Sequence, residues 1–386
     1  MIGLKLPNFT YTQIIITLLG TYTIMELGHY IQYSRRYIHF NNIRLPNIPK
    51  DEMDKMIDSI LVKNPDIFER AQKYPHTRHI KSREDLIDIN TTHTELYPSN
   101  QVRAGSSKLY WCYFPFCLDI TMKIFRQLGN VHMRTIGFSR NWHKTTDGYY
   151  SVWSYIVPNT KPVIFFPGAG LGAIPYGIVA KKLERTVHII EIPNMGYATP
   201  LSDKHFSTKT ICDVVSIYSP DNAPDILAHS MGTIPATLYI NEIQKKHSNL
   251  PKQNIVICDG FVSAIDPLTS HLYTFVDYPD CRTHLTKINT TLEFYILCMI
   301  SQTIEINSYS KRYHNFYNGV LWKDYTNANI KYVYAGKDLL FDTKYISERM
   351  INDPNYVFIE KGFHGSCLFG KRSNDTINTI KGFLQE

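Results

Sequence analysis

The chain has 386 residues, 44% of them hydrophobic, enough for one large core or two smaller ones. Its 41 basic and 34 acidic residues leave a formal charge of +7 but never gather into a run of like charge, which excludes a nucleic-acid-binding tail and leaves a mildly basic surface suited to anionic lipid. The cysteines at 112, 117, 212, 258, 281, 298 and 367 form an odd set without paired short spacings, which argues against a zinc site and favours free thiols in a reducing, intracellular compartment.

The most apolar stretch comes first, "YTQIIITLLGTYTIMELGHYI" from residue 11, followed by Arg35 and Arg36. Gln13, Glu26 and His29 interrupt it, so residues 1–40 read either as a membrane anchor or as an interfacial or buried helix capping the domain. Residues 41–132 read as a mostly helical region. Apolar positions recur at helical spacing over Asp51–Tyr74, and a further helix is expected at "LDITMKIFRQLG".

From Met133 onward the pattern changes to strands. "MRTIGFSRNW" and "GYYSVWSYIVP", with Asp147-Gly148 between them, predict an antiparallel hairpin. Six apolar runs follow at intervals that leave room for helices: "PVIFFPG", "TVHIIEIP", "DILAHS", "NIVICDG", "IKYVYAG" and "NYVFIEKG". Runs this continuous suit strands buried on both faces, so residues 133–386 are expected to form an α/β domain with a mostly parallel sheet and helices on both sides. The interval at about 261–329 is longer than a crossover needs and rich in Tyr and Phe, which predicts an insertion over one end of the sheet after the sixth strand, counting the two of the hairpin.

Chemistry concentrates at the strand ends. In "DILAHSMGT" a buried strand stops on Ser230, with Ala228 two residues before and Gly232 two after. A serine on a sharp strand-to-helix turn projects its hydroxyl at the sheet edge and tolerates only small neighbours at those two positions. The helix "TIPATLYINEIQKK" follows, with Pro235 in its first turn and its N-terminal dipole beside Ser230. Small-x-Ser-x-Gly is a weak signal alone, because an ordinary turn serine can carry it by chance.

With its context, "AHSMG" resembles the nucleophile elbow of the α/β-hydrolase family, Ala228 standing where the family usually has Gly. The glycine-rich "VIFFPGAGLG" is similar to the family's oxyanion-hole loop, which implies the backbone N–H groups of Ala169 and Met231 as oxyanion donors. "HIIEIPNMGYATP" looks like the region between loop and elbow. The resemblance further implies Asp338 in "VYAGKDLLF" as the triad acid, with Asp342 and Asp259 as competitors, and His364 in "VFIEKGFHGSCLF" as the base. Ser230, Asp338 and His364 stand in the chain order of this fold. His229, beside the serine, reads as part of the elbow or a pocket wall.

The activity this implies is hydrolysis of a carboxylic ester, lipid-like or otherwise, without cofactor or metal. The insertion would act as an apolar cap, and the partners would be a small-molecule acyl ester and, through the N-terminal helix, a membrane. A peptidase or thioesterase is a lesser alternative of the same chemistry. The alternative from another class is an inactive hydrolase scaffold used for binding or membrane tethering.

Overall fold

The computed structural model describes residues 11–42, scattered positions between 54 and 84, 116–170, 172–195, 202, 206–220, 223–246, 252–260, 328–338, 343–350, 352–370 and 373–385. The apolar N-terminal stretch forms α1 (Tyr11–Asn42) and "LDITMKIFRQLG" lies in α2 (Phe116–Thr135). Of the Asp51–Tyr74 run, positions 54, 55, 58, 61, 62, 68 and 69 are described as helical, and Arg83 bridges Asp54 and Asp58, each at 3.0 Å.

The hairpin is present as β1 (Ser139–Thr145) and β2 (Gly148–Tyr155), with Thr145 paired to Gly148 across a turn of Thr146 and Asp147. It begins later than the pattern suggested. Met133 is a fully buried residue of α2, whose helix continues to Thr135 before Gly137 at φ +102 turns the chain into β1. An apolar residue at a helix end and one at a strand start carry the same signal, and packing decides between them.

All six apolar runs form strands: β3 (Val163–Phe166), β4 (Val187–Glu191), β5 (Asp225–His229), β6 (Gln253–Cys258), β7 (Ala328–Ala335) and β8 (Tyr356–Ile359). They join the hairpin in one eight-stranded sheet of order β1-β2-β4-β3-β5-β6-β7-β8. From β4 to β8 every pairing is parallel, while β2 is antiparallel to both of its neighbours.

Alternation along the strands builds two cores. Ile164, Phe166, Ile226 and Ala228 enter one, with Ile211 and Val215 of α4 (Thr208–Tyr218) and Tyr239 and Ile240 of α5 (Thr233–Lys246). Val163, Phe165 and Leu227 enter the other, with Val179 of α3 (Gly177–Lys182) and Ile377 and Ile380 of α7 (Ser373–Gln385). A further helix, α6 (Thr343–Met350), adds Ile346 to the first core. Helices therefore cover both faces, as the unbroken strand runs require.

The chain starts its parallel winding at β3 in mid-sheet, steps to β4 on one side and then crosses to β5 on the other. Such a reversal leaves a crevice at the carboxyl ends of the strands, between the loops after β3 and β5. Of the insertion expected at about 261–329, residues 261–327 lie outside the described residues, as does Asp342, while positions 328 and 329 belong to β7.

Candidate active site

Ser230 follows β5 directly and has φ +52, a left-handed conformation that costs a non-glycine residue about 1–3 kcal/mol. What holds it there is close packing. A Cβ on Gly232 would come within 2.3 Å of the Phe166 carbonyl oxygen and 2.4 Å of that of Pro167, so the turn after β5 lies directly on the end of β3. From the loop side, a Cβ on Gly168 would lie 3.1 Å from the Ser230 Cβ. The single turn Ser230–Gly232 then leads into α5, whose Thr233 Oγ1 donates to the Ser230 carbonyl at 2.6 Å. That helix directs its positive end at the serine.

Three of the residues singled out above meet here. His364 Nδ1 lies 2.7 Å from Asp338 Oδ2, and its Nε2 lies 2.8 Å from Ser230 Oγ. A carboxylate only accepts, so Nδ1 carries the proton toward Asp338 and Nε2 is left to accept from the Ser230 hydroxyl. Ser230, Asp338 and His364 are all buried, the serine at 5% exposure. Asp338 follows β7 and His364 follows β8, so the parallel register sets both loops beside the elbow.

The loop carrying Ala169 and the turn carrying Met231 are brought together, with Ala169 packed against the core that includes Met231. Gly170 donates to the Met195 carbonyl at 2.9 Å, and the Ala173 N–H donates to Glu191 Oε1 at 2.8 Å. Glu191 is itself held by Arg140 at 2.8 Å and by the Ser151 hydroxyl. One buried carboxylate at the end of β4 thereby pins the glycine-rich loop.

Asp259, the competitor for the role of acid, is placed differently. It is fully buried after β6 with φ +44, and its carboxylate accepts the Ala335 N–H at 2.8 Å, the Gly365 N–H at 2.7 Å and the Cys367 thiol at 3.3 Å. It thus ties the β7 end, from which Asp338 hangs, to the residue after His364. Burial pushes the Asp259 carboxyl upward, but His229, His364 and the Ala335 N–H outweigh that and hold it below the usual carboxylate range.

His229 completes a second buried chain. The Gly168 N–H donates to the Tyr176 hydroxyl at 2.9 Å, and that hydroxyl in turn reaches His229 Nδ1 at 2.9 Å. The hydroxyl already accepts one proton, so it donates its own to Nδ1, leaving Nε2–H facing Asp259 Oδ2 at 3.8 Å. Burial, and then the charge of His364, lower the basicity of His229 against an opposing pull from Asp259.

No family model matches the chain, and no curated protein matches its sequence. Solved structures do resemble it. A membrane phospholipase A described as a bacterial virulence factor shares 13% identity at a TM-score of 0.50, over 69% of this chain and 93% of its own. A candidate lipase from Acinetobacter baumannii AYE shares 15% identity at a TM-score of 0.50, over 68% of this chain and 95% of its own. This is the α/β-hydrolase fold.

Within the hydrolase fold, the loops after β3, β5, β7 and β8 supply the residues that sequence reasoning selected, and the loop after β6 supplies the one it left in competition. Tyr176, Glu191 and Arg140 escaped it. Each acts through a partner distant in sequence, and no local spacing marks a tyrosine as the acceptor for Gly168. Among the described residues, two groups have the donor types of a metal site, with ligand atoms within 4.8 Å of one another: His229, Asp259 and Cys367, and Asp259, Asp338 and His364. In the second, both His364 nitrogens and both Asp259 oxygens already hold internal hydrogen bonds, which an ion would have to displace.

Proposed function

We propose that the protein is a serine hydrolase of carboxylic esters, acting through Ser230, His364 and Asp338. The observation that carries this reading is the unbroken hydrogen-bond chain from the Ser230 hydroxyl through His364 to Asp338, built on a serine with a left-handed backbone. A solvated turn serine needs neither feature. In the proposed reaction His364 Nε2 takes the hydroxyl proton as Oγ attacks the ester carbonyl, and Asp338 stabilises the imidazolium. The developing oxyanion is received by the N–H groups of Ala169 and Met231, aided by the N-terminus of α5. His364 then protonates the departing alcohol, and water, activated by the same imidazole, releases the acid and restores Ser230.

The two fold neighbours are described as a phospholipase A and a candidate lipase, the same reaction class. An ester with an apolar acyl chain also fits the aromatic stretch at about 261–329, which would cover the crevice. The test is labelling with a fluorophosphonate probe, followed by a panel of p-nitrophenyl esters from short to long acyl chain. Labelling that is lost in Ser230→Ala and His364→Ala, with turnover of at least one ester, is the expected result.

The low exposure of Ser230 favours one second reading, a closed scaffold that binds without turnover. A folded parent chain that neither labels nor turns over any ester would replace the proposal with that one.

A further inference from the structure

α1 is built inside out for water. Glu26 accepts the Phe116 N–H at 3.3 Å, while the His29 ring lies tilted against the Phe116 ring with centroids 5.5 Å apart and approaches Asp119 to 4.0 Å. Seven residues after Glu26, Tyr33 enters the core beside Tyr150 and Val152. Glu26 and His29, which interrupt the apolar segment in sequence, are thus turned onto α2, and large apolar side chains are left outside. Ile16, Leu18, Leu19, Ile24 and Leu27 are all exposed, Ile24 at 73%.

Their distribution identifies the occupant. At about 100° per residue, Ile15, Ile16, Leu18, Leu19, Tyr22, Ile24, Met25 and Leu27 spread over roughly 260° of the α1 circumference, and the remaining sector holds the exposed Thr17, Thr21, Gly28 and Gln32. A protein groove covers a narrow stripe, as in helix-in-groove recognition; hydrocarbon covers a far wider arc. The exposed apolar stretch Ile15–Ile31 rises roughly 25 Å, less than the roughly 30 Å of a bilayer core. Among the described residues, no helix is long and apolar enough to cross a membrane.

α2 adds a second apolar surface and charge. Its exposed Ile124, Phe125, Leu128 and Val131 form one stripe, and Val131 also lines a cavity of about 380 Å³ together with Arg126 and Arg134; Arg140, at the same cavity, is already paired with Glu191. Arg35 and Arg36 lie just beyond Tyr33, where α1 returns to the core. Basic groups at the rim of an apolar surface match anionic headgroups.

We propose that α1, with the exposed stripe of α2, inserts into the hydrocarbon of a lipid bilayer without spanning it, and that the arginines at its rim favour anionic lipid. This does not rest on the catalytic reading, so Ser230→Ala should bind membranes as the parent does. The experiment is flotation of the full chain with vesicles of phosphatidylcholine alone and of equimolar phosphatidylcholine and phosphatidylserine. The chain is expected to float with both, more completely with the anionic vesicles. Leu19→Glu/Ile24→Glu should reduce flotation more than tenfold on both, because it places charge in hydrocarbon. Arg126→Gln/Arg134→Gln should lower it by roughly tenfold on the anionic vesicles only. As a readout that needs no loss of binding, Leu19→Trp should be quenched by vesicles of brominated lipid.

Failure to float with either composition would overturn the proposal, as would flotation indifferent to Leu19→Glu/Ile24→Glu. Self-association abolished by that double substitution, without vesicle binding, would overturn it in favour of an interface between copies of the chain.

Discussion

Two Asp–His pairs lie side by side at the sheet's carboxyl edge, with the rings of His229 and His364 5.3 Å apart, and they are built for different work. His364 meets Asp338 at 2.7 Å and uses its other nitrogen on Ser230, whereas His229 stands 3.8 Å from Asp259 and uses its other nitrogen on Tyr176. The first pair has the charge-assisted contact that can stabilise an imidazolium. In the second, the Asp259 oxygens serve backbone N–H groups of two neighbouring loops, so the carboxylate acts as an anchor. Proximity of an acid to a histidine therefore does not decide function. The remaining partners of each group do.

The comparison can be broken by substitution, and the largest expected effect belongs to the proposed nucleophile and base. Ser230→Ala or His364→Ala should cut kcat by about 10⁵–10⁶ and remove probe labelling, as loss of either member disables the unit. Asp338→Asn, measured as kcat/KM on the best p-nitrophenyl ester, should cost about 10⁴ by favouring the wrong imidazole tautomer.

Asp259→Asn keeps the shape of the anchor but loses its charge. If Asp259 positions the His364 loop, kcat should fall by only about 10²-fold, the loss expected of a misplacement of roughly 1 Å. Thermal stability should drop at the same time. A loss of kcat equal to that of Asp338→Asn would mean that the two aspartates share the work and that the comparison is wrong.

The smallest effect sharpens the difference between the two histidines. The folded-state pKa of His229 lies below its ordinary value of 6.5, chiefly because of burial, and His188 is lowered for the same reason to about 4. The unfolded chain binds these protons first, so their contribution to stability is complete above pH 6.5 and is lost as pH falls from there toward the folded values. Asp259 acts in a lower window, giving stability above its unfolded value of 3.8 that is lost as pH falls through its depressed folded one. Urea unfolding at pH 7 and pH 5 should therefore show a shallower acid loss for His229→Gln than for the parent, by at most about 1.4 kcal/mol per pH unit. An unchanged slope would mean that His229 is charged in the fold.

Much of this was legible in residue order. Uninterrupted apolar runs specify strands buried on both faces, and the small residues around Ser230 specify a sharp turn, because both constraints are local: a pleat turns successive side chains to opposite faces, so a strand covered on both needs every one apolar, and a left-handed serine needs small residues packed beside it. The order of Ser230, Asp338 and His364 along the chain is likewise a property of the string. What only the tertiary structure decided is which groups face one another. The end of α2 and the start of β1 could not be separated at Met133, because helix and strand both bury a methionine there. Asp338 and Asp259 both end apolar strands, and β7 lying between β6 and β8 gives one of them His364 and the other the Gly365 N–H. In α1, Glu26 and His29 look like flaws in an apolar segment until α2 packs beneath them, because sequence records which residues are polar while packing settles which way they face.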